Sequence, residues 1–434
     1  MYIDNILFAI ILLIGIGFFA KNIKKLSRNI KLGQDIDRSD NPSARWKNMA
    51  LIALGQSKMV RRPVAGFLHI IVYAGFIIIN LEVLEIIIDG LFGTHRIFSF
   101  LGSFYSFLIG SFEVLAVLVL FAVVVFWIRR NVIRLKRFAS SDLKGAPKKD
   151  ADIILYFEVV LMSLFLIMNA TDLHFQMMNS GNIISQYITP LFYDFDITTV
   201  EIIERATWWL HIVGILLFLN YLYYSKHLHI LLAFPNTFYA DLNAKGKFDN
   251  LESVTKEVKL MMDPNADPFA AQPIDENAVP AKFGASDVQD LNWVQLLNAY
   301  TCTECGRCTS SCPANQTGKK LSPRKIMMDT RDRLEEVGRN IDANKGVFIP
   351  DNKTLLNDYI TPEELWACTS CNACVEECPV NISPLSIIMD MRRYLVMEQS
   401  AAPQSLNAMM SNIENNGAPW PYNQMDRLNW KDEN

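Results

Sequence analysis

The chain has 434 residues, of which 51% are hydrophobic, and its formal net charge at pH 7 is −4. Because the apolar residues are concentrated before about residue 232, the composition excludes a single water-soluble domain and indicates a membrane part followed by a soluble part. The sequence contains no nucleotide-binding, kinase or DNA-binding motif, so a nucleic acid is not an expected partner.

Five apolar runs are each long enough to form a membrane-spanning helix, which takes roughly 20 residues. The predicted spans are residues 3–20, 64–88, 107–128, 153–173 and 207–228. Residues 1–232 are therefore predicted to form a transmembrane domain. The first run follows no basic region and precedes no small-residue cleavage site, so we predict a retained anchor rather than a signal peptide.

The loops between these spans differ sharply in their content of Lys and Arg. Residues 21–62 carry eleven and residues 129–150 carry eight, whereas residues 89–105 and 175–205 carry one each. Basic loops stay on the cytoplasmic side of a membrane. The pattern predicts a multi-pass protein of the inner (plasma) membrane, with the N-terminus outside and the C-terminal half in the cytoplasm.

The remaining sequence divides into three segments. Residues 233–290 are rich in Pro, Asp, Asn and Ala, which predicts an extended linker. Residues 291–399 carry helical patterns typical of a soluble domain. In the tail, residues 400–434, prolines accompany Trp420 and Trp430, which predicts docking of a partner; packing back on the preceding domain is the alternative. The predicted fold class is all-α throughout.

All eight cysteines lie in two copies of the motif C-x2-C-x2-C-x3-C-P, at residues 302–313 and 368–379. In this pattern three thiolates hold one [4Fe–4S] cluster and the fourth ligates the other cluster. The first cluster is assigned to Cys302, Cys305, Cys308 and Cys378, and the second to Cys368, Cys371, Cys374 and Cys312. A pair of zinc sites is the alternative, but zinc motifs rarely place four cysteines so close together, twice, before a proline. The predicted chemistry is one-electron relay.

Five of the six histidines, all but His95, lie in or beside the apolar spans. On a continuous helix the 18 residues from His211 to His229 make five whole turns, so both are predicted on one face, roughly 27 Å apart. Neutral imidazoles are good axial haem ligands in a helical bundle. We predict one or two b haems, the inner one held by His69 and His229 and the outer one by His174 and His211.

The outer haem depends on the weaker of these two pairs. Ile79, one haem spacing beyond His69 on the second span, cannot bind iron, and without that pair the protein holds a single haem. His227 and His95 are expected to be interfacial residues.

Several charged residues lie near the predicted haems. Lys58, Arg61 and Arg62, just outside the membrane below His69, are candidates to bind haem propionates, with membrane anchoring as the alternative. Buried acids in a membrane are costly and often functional. The candidate quinone and proton-exchange site comprises Glu82, Glu113 and Asp172 on the outer side. The alternative is that these carboxylates reach interfacial water.

Two stretches carry a resemblance to known families. The stretch "GQSKMVRRPVAGFLH", the span histidines and the five-helix topology resemble the membrane cytochrome b of respiratory nitrate reductase gamma subunits and of the membrane-bound partner in heterodisulfide reductase. The spacing of His211 and His229 is similar to that family's fifth helix, whereas Ile79 departs from its second histidine. The stretches "CTECGRCTSSCPANQTGKKLSPRKI" and "LWACTSCNACVEECPVNISPLSIIMDMRR" resemble the C-type iron–sulfur protein of heterodisulfide reductase and the iron–sulfur half of related membrane oxidoreductases.

This resemblance implies an electron-transfer subunit of an oxidoreductase that connects a cytoplasmic partner with menaquinone or another quinone. Fused relatives carry a further domain with CCG motifs. No such motif occurs here, so a separate CCG-domain subunit is expected, with electron-transfer flavoprotein or a hydroxy-acid dehydrogenase as the flavoprotein donor. The direction of electron flow stays open. The alternatives are a haem-free membrane anchor and ferredoxin module that tethers a cytoplasmic dehydrogenase, and a redox sensor, which no motif supports.

Overall fold

The computed structural model describes residues 3–178, 180–265 and 282–432. Within these ranges the chain is mostly helical and forms no β-strand, so the predicted all-α fold class is confirmed. In the N-terminal half the α-helices are α1 (Ile3–Ile30), α2 (Pro42–Met49), α3 (Pro63–Phe92), α4 (Ser103–Asn131), α5 (Ala146–Thr171), α6 (Leu173–Met177), α7 (Ile197–Tyr221), α8 (His229–Phe238) and α9 (Glu252–Met262).

The C-terminal half is built from shorter helices around the longer α13 and α17. They are α10 (Trp293–Thr301), α11 (Arg307–Ser310), α12 (Pro313–Gln316), α13 (Pro323–Ala343), α14 (Leu355–Asp358), α15 (Pro362–Trp366), α16 (Ala373–Glu377), α17 (Pro384–Met397) and α18 (Gln404–Asn416). Residues 282–399, which contain α10 to α17, are called the C-terminal part below. Its core includes the fully buried Leu296, Ile326 and Met391.

Five helices, α1, α3, α4, α5 and α7, are long and apolar enough to cross a membrane, which confirms the five predicted spans. They extend beyond the apolar runs because polar residues continue the helices past the hydrocarbon. Asp196, for example, caps α7 by accepting a hydrogen bond from the backbone N–H of Thr199. Small residues allow close packing: a Cβ atom added to Gly90 of α3 would lie 2.6 Å from the ring of Phe8 on α1.

The fifth spanning helix ends earlier than the sequence predicts. Ser225 has an extended backbone (φ −110°, ψ 150°), and its side chain accepts a hydrogen bond from the backbone N–H of His227. Such local bonding of a serine favours the start of a new helical turn. His229 therefore begins a separate helix, α8, and the prediction that His211 and His229 lie on one face of a continuous helix is wrong.

The C-terminal part packs against one end of the five-helix bundle, which we call the proximal end. Contacts include the ion pair between Lys25 at the end of α1 and Asp342 of α13, with Nζ to Oδ2 at 2.7 Å. Arg324 of α13 is bonded to Asp142 in the loop between α4 and α5. The opposite, distal end carries α6 and the loop between α3 and α4.

The segment predicted to be an extended linker contains ordered helix at both its described sides. Most of α8 and all of α9 fall between residues 233 and 265, while residues 266–281 lie outside the described ranges. In the tail, α18 is followed by a 3₁₀ helix at Gln424–Lys431, and Trp420 and Trp430 are exposed.

Candidate functional site

The two cysteine motifs adopt the same backbone conformation. Glu304 and Ser370, each two residues after the first cysteine of its motif, have φ of 53° and 56°. Gly306 and Asn372, each just after the second cysteine, have φ of 72° and 59° and begin a short helix, α11 or α16. Only a few residue types adopt this left-handed region readily, so the sequence repeat is also a structural repeat.

The first group of thiols surrounds a cavity in the C-terminal part. Cys302, Cys305 and Cys308 of the first motif line it together with Cys378 of the second motif. The Sγ atom of Cys378 accepts a hydrogen bond from the backbone N–H of Ile382 at 3.3 Å. Burial raises the pKa of Cys302 to about 12. Such thiols give up their protons when a metal cluster binds them.

The second group again combines three cysteines of one motif with the fourth of the other. Burial raises the pKa of Cys374 to about 12, and the neighbouring thiols of Cys368, Cys312 and Cys371 act in the same direction. The Sγ atom of Cys368 accepts a hydrogen bond from the N–H of Ser370 at 3.4 Å. Hydrogen bonds of this kind adjust the reduction potential of a bound cluster.

The spacing of these thiols matches a cluster better than a single ion. Within the described ranges, no three His, Cys, Asp or Glu side chains converge on one ion position. A zinc ion needs four ligands at about 2.0–2.3 Å from one point, whereas a cubane cluster is bound by thiolates distributed around it. The donor set therefore fits the two [4Fe–4S] clusters assigned from the sequence.

His69 and His229 face each other at the proximal end of the bundle. Their ring centroids lie 6.5 Å apart, with the planes tilted by 37°. A metal ion bonded to one nitrogen of each ring at about 2.0 Å separates such centroids by roughly 6 Å. The pair thus has the spacing of two axial ligands of one haem.

The hydrogen bonding of these two rings also suits ligation. Nδ1 of His229 lies 3.1 Å from the carbonyl oxygen of Lys226, and a carbonyl can only accept, so Nδ1 carries the proton and Nε2 is free to bind a metal. Nδ1 of His69 is buried and has no hydrogen-bond partner within the described residues. The residues present therefore fit a b-type haem.

The structure does not bring His174 and His211 together. His211 is buried on α7 beside Phe165 of α5, with ring centroids 6.1 Å apart. His174 lies exposed on α6, with its ring against that of His95. Phe165 precedes Asp172, where α6 begins, by seven residues, or roughly 10 Å along a helix. The two predicted ligands therefore lie at different depths, because the chain leaves α5 before His174. Ile79 is buried in the apolar core.

The basic residues below His69 contact the second cysteine motif. Arg61 bonds to Glu376 with Nη1 to Oε1 at 2.6 Å, and Arg62 bonds to Glu377 at 3.0 Å. Lys58 donates to the carbonyl oxygen of Cys378 at 3.3 Å. Their charges thus fasten the C-terminal part to the bundle, instead of pairing with haem propionates as the sequence suggested, because the acidic α16 lies directly beneath them.

At the distal end a buried arginine organises the polar side chains. Arg96 donates to Asp172 at 2.7 Å, to Asn169 at 2.9 Å and to the hydroxyl of Tyr105 at 3.2 Å. Sequence reasoning counted Arg96 only as a loop charge. Its position as the single basic residue of the first distal loop, between spans rich in carboxylates, is the signal that was available.

The three predicted distal carboxylates differ in their surroundings. Glu113 accepts hydrogen bonds from Asn169 and from the backbone N–H groups of Ile184 and Ser185. Asp172 is similarly occupied by Arg96. Glu82 is 3% exposed, and its Oε2 has no hydrogen-bond partner in the described part of the chain. It lines a cavity shared with Glu85, His95, Arg96, Asp172 and Glu204.

Comparison with known proteins agrees with the cysteine geometry. Residues 301–382 match the model of the 4Fe-4S dicluster domain, which confirms the predicted iron–sulfur clusters. No solved structure matches the chain.

Relatives include the probable iron–sulfur-binding oxidoreductase FadF of Bacillus subtilis, 29% identical over 99% of this chain and 61% of the relative. The EtfAB:quinone oxidoreductase of Syntrophomonas wolfei is 25% identical over 98% of this chain and 59% of its own length. The probable membrane-anchored ferredoxin of Chromohalobacter salexigens is 33% identical over 36% of this chain and 25% of that protein. The chain spans about three fifths of the length of the first two relatives. It is thus a homologue of iron–sulfur oxidoreductases and of C-type heterodisulfide reductase proteins, and it carries a 4Fe-4S dicluster domain.

Proposed function

We propose that the chain is a membrane electron-transfer subunit that relays electrons between a cytoplasmic partner and a quinone. The observation that carries this proposal is the contact between the first cysteine loop and the segment leading to His69. The buried Arg307, between two of the first loop's cysteines, donates to the backbone carbonyls of Lys58 and Met59 at 2.9 and 3.1 Å. The first thiol group and the histidine pair are thereby held side by side.

The side chains divide the work of binding these groups. When bound, two [4Fe–4S] clusters and one b haem supply one-electron transfer, for which the protein provides ligands, position and a water-poor environment. The crossed thiol groups hold the clusters, and His69 and His229 hold the haem. Hydrogen bonds to Cys378 and Cys368 adjust the clusters, while the carbonyl of Lys226 fixes the orientation of His229.

Reduction of a quinone consumes protons as well as electrons, so its site needs a group that exchanges protons. We assign this role to Glu82, because its carboxyl is buried, lacks a hydrogen-bond partner among the described residues and faces a cavity at the distal end. Glu113 and Asp172 act as fixed anchors, since backbone and side-chain donors occupy them. The exposed His95 connects this cavity with the distal surface.

The orientation and the partner are part of the same proposal. The basic loops lie at the proximal end, which places the C-terminal part in the cytoplasm. By analogy with the EtfAB:quinone oxidoreductase, an electron-transfer flavoprotein is the proposed donor. A CCG-domain iron–sulfur subunit is a further proposed partner, with the exposed Trp420 and Trp430 of the tail as docking residues.

Cofactor analysis of the purified protein tests this proposal. A pyridine haemochrome assay, with iron and sulfide determination in detergent, is expected to give about one haem and about eight iron atoms per chain. Two haems would require a second ligand pair besides His69 and His229. Absence of haem after expression with adequate haem supply would leave the alternative function, in which the bundle only anchors a ferredoxin module to the membrane.

A further inference from the structure

Lys226 occupies an unusual place between the bundle and the C-terminal part. It follows the break at Ser225, and its side chain is buried although it carries an ammonium group. Nζ donates to the carbonyl oxygen of Pro147 at 2.7 Å and forms an ion pair with Glu304. Its own backbone carbonyl accepts the hydrogen bond from Nδ1 of His229 at 3.1 Å. One residue thus contacts both Glu304 and the proposed haem ligand.

Glu304 lies inside the first cysteine motif, between Cys302 and Cys305. Its second carboxylate oxygen accepts a hydrogen bond from Arg331 at 2.9 Å, so the buried charge is fully paired. The equivalent residue of the second motif is Ser370, which has the same backbone conformation and no charge. The carboxylate therefore belongs to the motif that faces the bundle and is not needed to form the loop.

We propose that Lys226 is a positioning residue that couples the first cysteine loop to His229, with its ammonium group held by Glu304 and its carbonyl oxygen orienting the imidazole. The inference rests on the proposed haem at His69 and His229. Any displacement of the first loop changes the position of Glu304, moves Lys226 and alters the hydrogen bond to His229. A hydrogen bond to the free N–H of a ligating histidine makes that ligand more basic.

This coupling makes a prediction about the sign of two effects. A more basic ligand favours oxidised haem, so a weaker bond from His229 to Lys226 raises the haem midpoint potential. Lys226→Met and Glu304→Gln both release Lys226, and both are expected to raise the potential. Simple electrostatics predicts opposite signs, because removal of a positive charge lowers the potential of a nearby haem and removal of a negative charge raises it.

The experiment is a redox titration of the haem in the full-length protein, followed by optical and electron paramagnetic resonance spectra. Lys226→Met leaves Glu304 with only Arg331, so this variant can fail to fold. The double variant Lys226→Met/Glu304→Gln contains no unpaired buried carboxylate and is expected to show the same rise. The conservative variant Lys226→Arg retains the ion pair and is expected to restore the wild-type potential and spectrum.

Lys25→Met is the matched control, because Lys25 forms an exposed ion pair across the same contact and touches neither cysteine motif. Its haem potential is expected to equal that of the wild type. Shifts of opposite sign in the two single variants, or no shift in the double variant, would overturn the coupling while leaving the haem in place. A wild-type protein that binds no haem in the pyridine haemochrome assay would overturn the proposed haem and this inference together.

Discussion

Arg324 of α13 and Asp142 of the loop between α4 and α5 form a two-pronged ion pair, with Nε to Oδ2 at 3.0 Å and Nη2 to Oδ1 at 2.6 Å. Arg324 is 1% exposed, and it also donates to the carbonyl oxygen of Arg137. Paired hydrogen bonds of this geometry are among the stronger polar contacts in proteins. The pair therefore fixes the C-terminal part, with its cysteines, on the bundle.

Removal of one partner from this pair should loosen the contact between the two parts. Arg324→Met leaves Asp142 largely buried without its cation, which costs about 3–5 kcal/mol for buried pairs. Thermal unfolding in detergent, with limited proteolysis of the loop around Asp142, measures the effect. Lys25→Met is the control, since exposed pairs contribute only about 0–1 kcal/mol. Equal stability of the two variants would contradict the assigned role of Arg324.

The same contact should depend on pH. Burial tends to raise the pKa of Asp142, but hydrogen bonds from Arg324, Ser140 and Ser322 outweigh it and lower the pKa below the ordinary 3.8. A carboxyl whose pKa is depressed on folding stabilises the protein above its unfolded pKa and loses this contribution as the pH falls through the folded value. Proteolytic accessibility of the Asp142 loop should therefore rise below about pH 4, and Asp142→Asn should abolish this step.

The crossed assignment of the cysteines can be tested with two double variants. If Cys302 and Cys378 ligate the same cluster, Cys302→Ser/Cys378→Ser disrupts that cluster alone and leaves about four iron atoms per chain. The matched variant Cys302→Ser/Cys312→Ser, with both substitutions inside one motif, disrupts both clusters. Iron analysis and electron paramagnetic resonance distinguish the outcomes. The reverse pattern would mean that each motif holds its own cluster.

Haem ligation makes an equally direct prediction. His69→Ala and His229→Ala should each remove the b haem from the purified protein, because each deletes one of two axial ligands. His174→Ala should retain it, since His174 is exposed and packs only against His95 among the described residues. Haem content by the haemochrome assay, normalised to iron, is the measurement. Haem loss in the His174 variant would restore the outer pair predicted from the sequence.

The distal carboxylates should separate into two classes. Glu82→Gln should lower the rate of quinone reduction roughly 100-fold, a usual magnitude for the loss of a proton-transferring group, with little change in stability. Glu113→Gln should instead lower the free energy of unfolding by about 1–3 kcal/mol, since backbone donors lose part of their acceptor. Turnover with a soluble quinone and thermal unfolding together measure both effects. Wild-type turnover in the Glu82 variant would remove it from the proposed site.

The outcome of sequence reasoning differs between local and long-range features. The spacing within the motifs depends only on neighbouring residues, and the crossed grouping of Cys312 and Cys378 followed from it. The five spans were found because length and hydropathy are sufficient signals. The proximity of His69 and His229 was also expected, but from a continuous helix that the structure does not contain. Both residues remain near the membrane boundary, so the pairing survives the error.

Other features could not be read from the sequence because they depend on tertiary contacts. Arg61 and Arg62 look alike whether they face haem propionates, lipid or protein, and only the position of Glu376 and Glu377 decides between these. The break at Ser225 lies in a run of residues compatible with a helix, so no local signal opposes continuity. Arg96 likewise acquires its role only when α3, α4 and α5 are packed together.

The separation of α8 from α7 also affects how the protein is made. Asn236 of α8 is fully buried and donates to the carbonyl oxygen of Val380 at 2.7 Å, while Asn298 of α10 donates to Asn236. His229 therefore lies on a helix whose position is fixed by the folded C-terminal part, although that part is synthesised last. Haem insertion is consequently expected to be a late step in biogenesis, after the iron–sulfur domain has matured, so a failure of cluster assembly would also yield protein without haem.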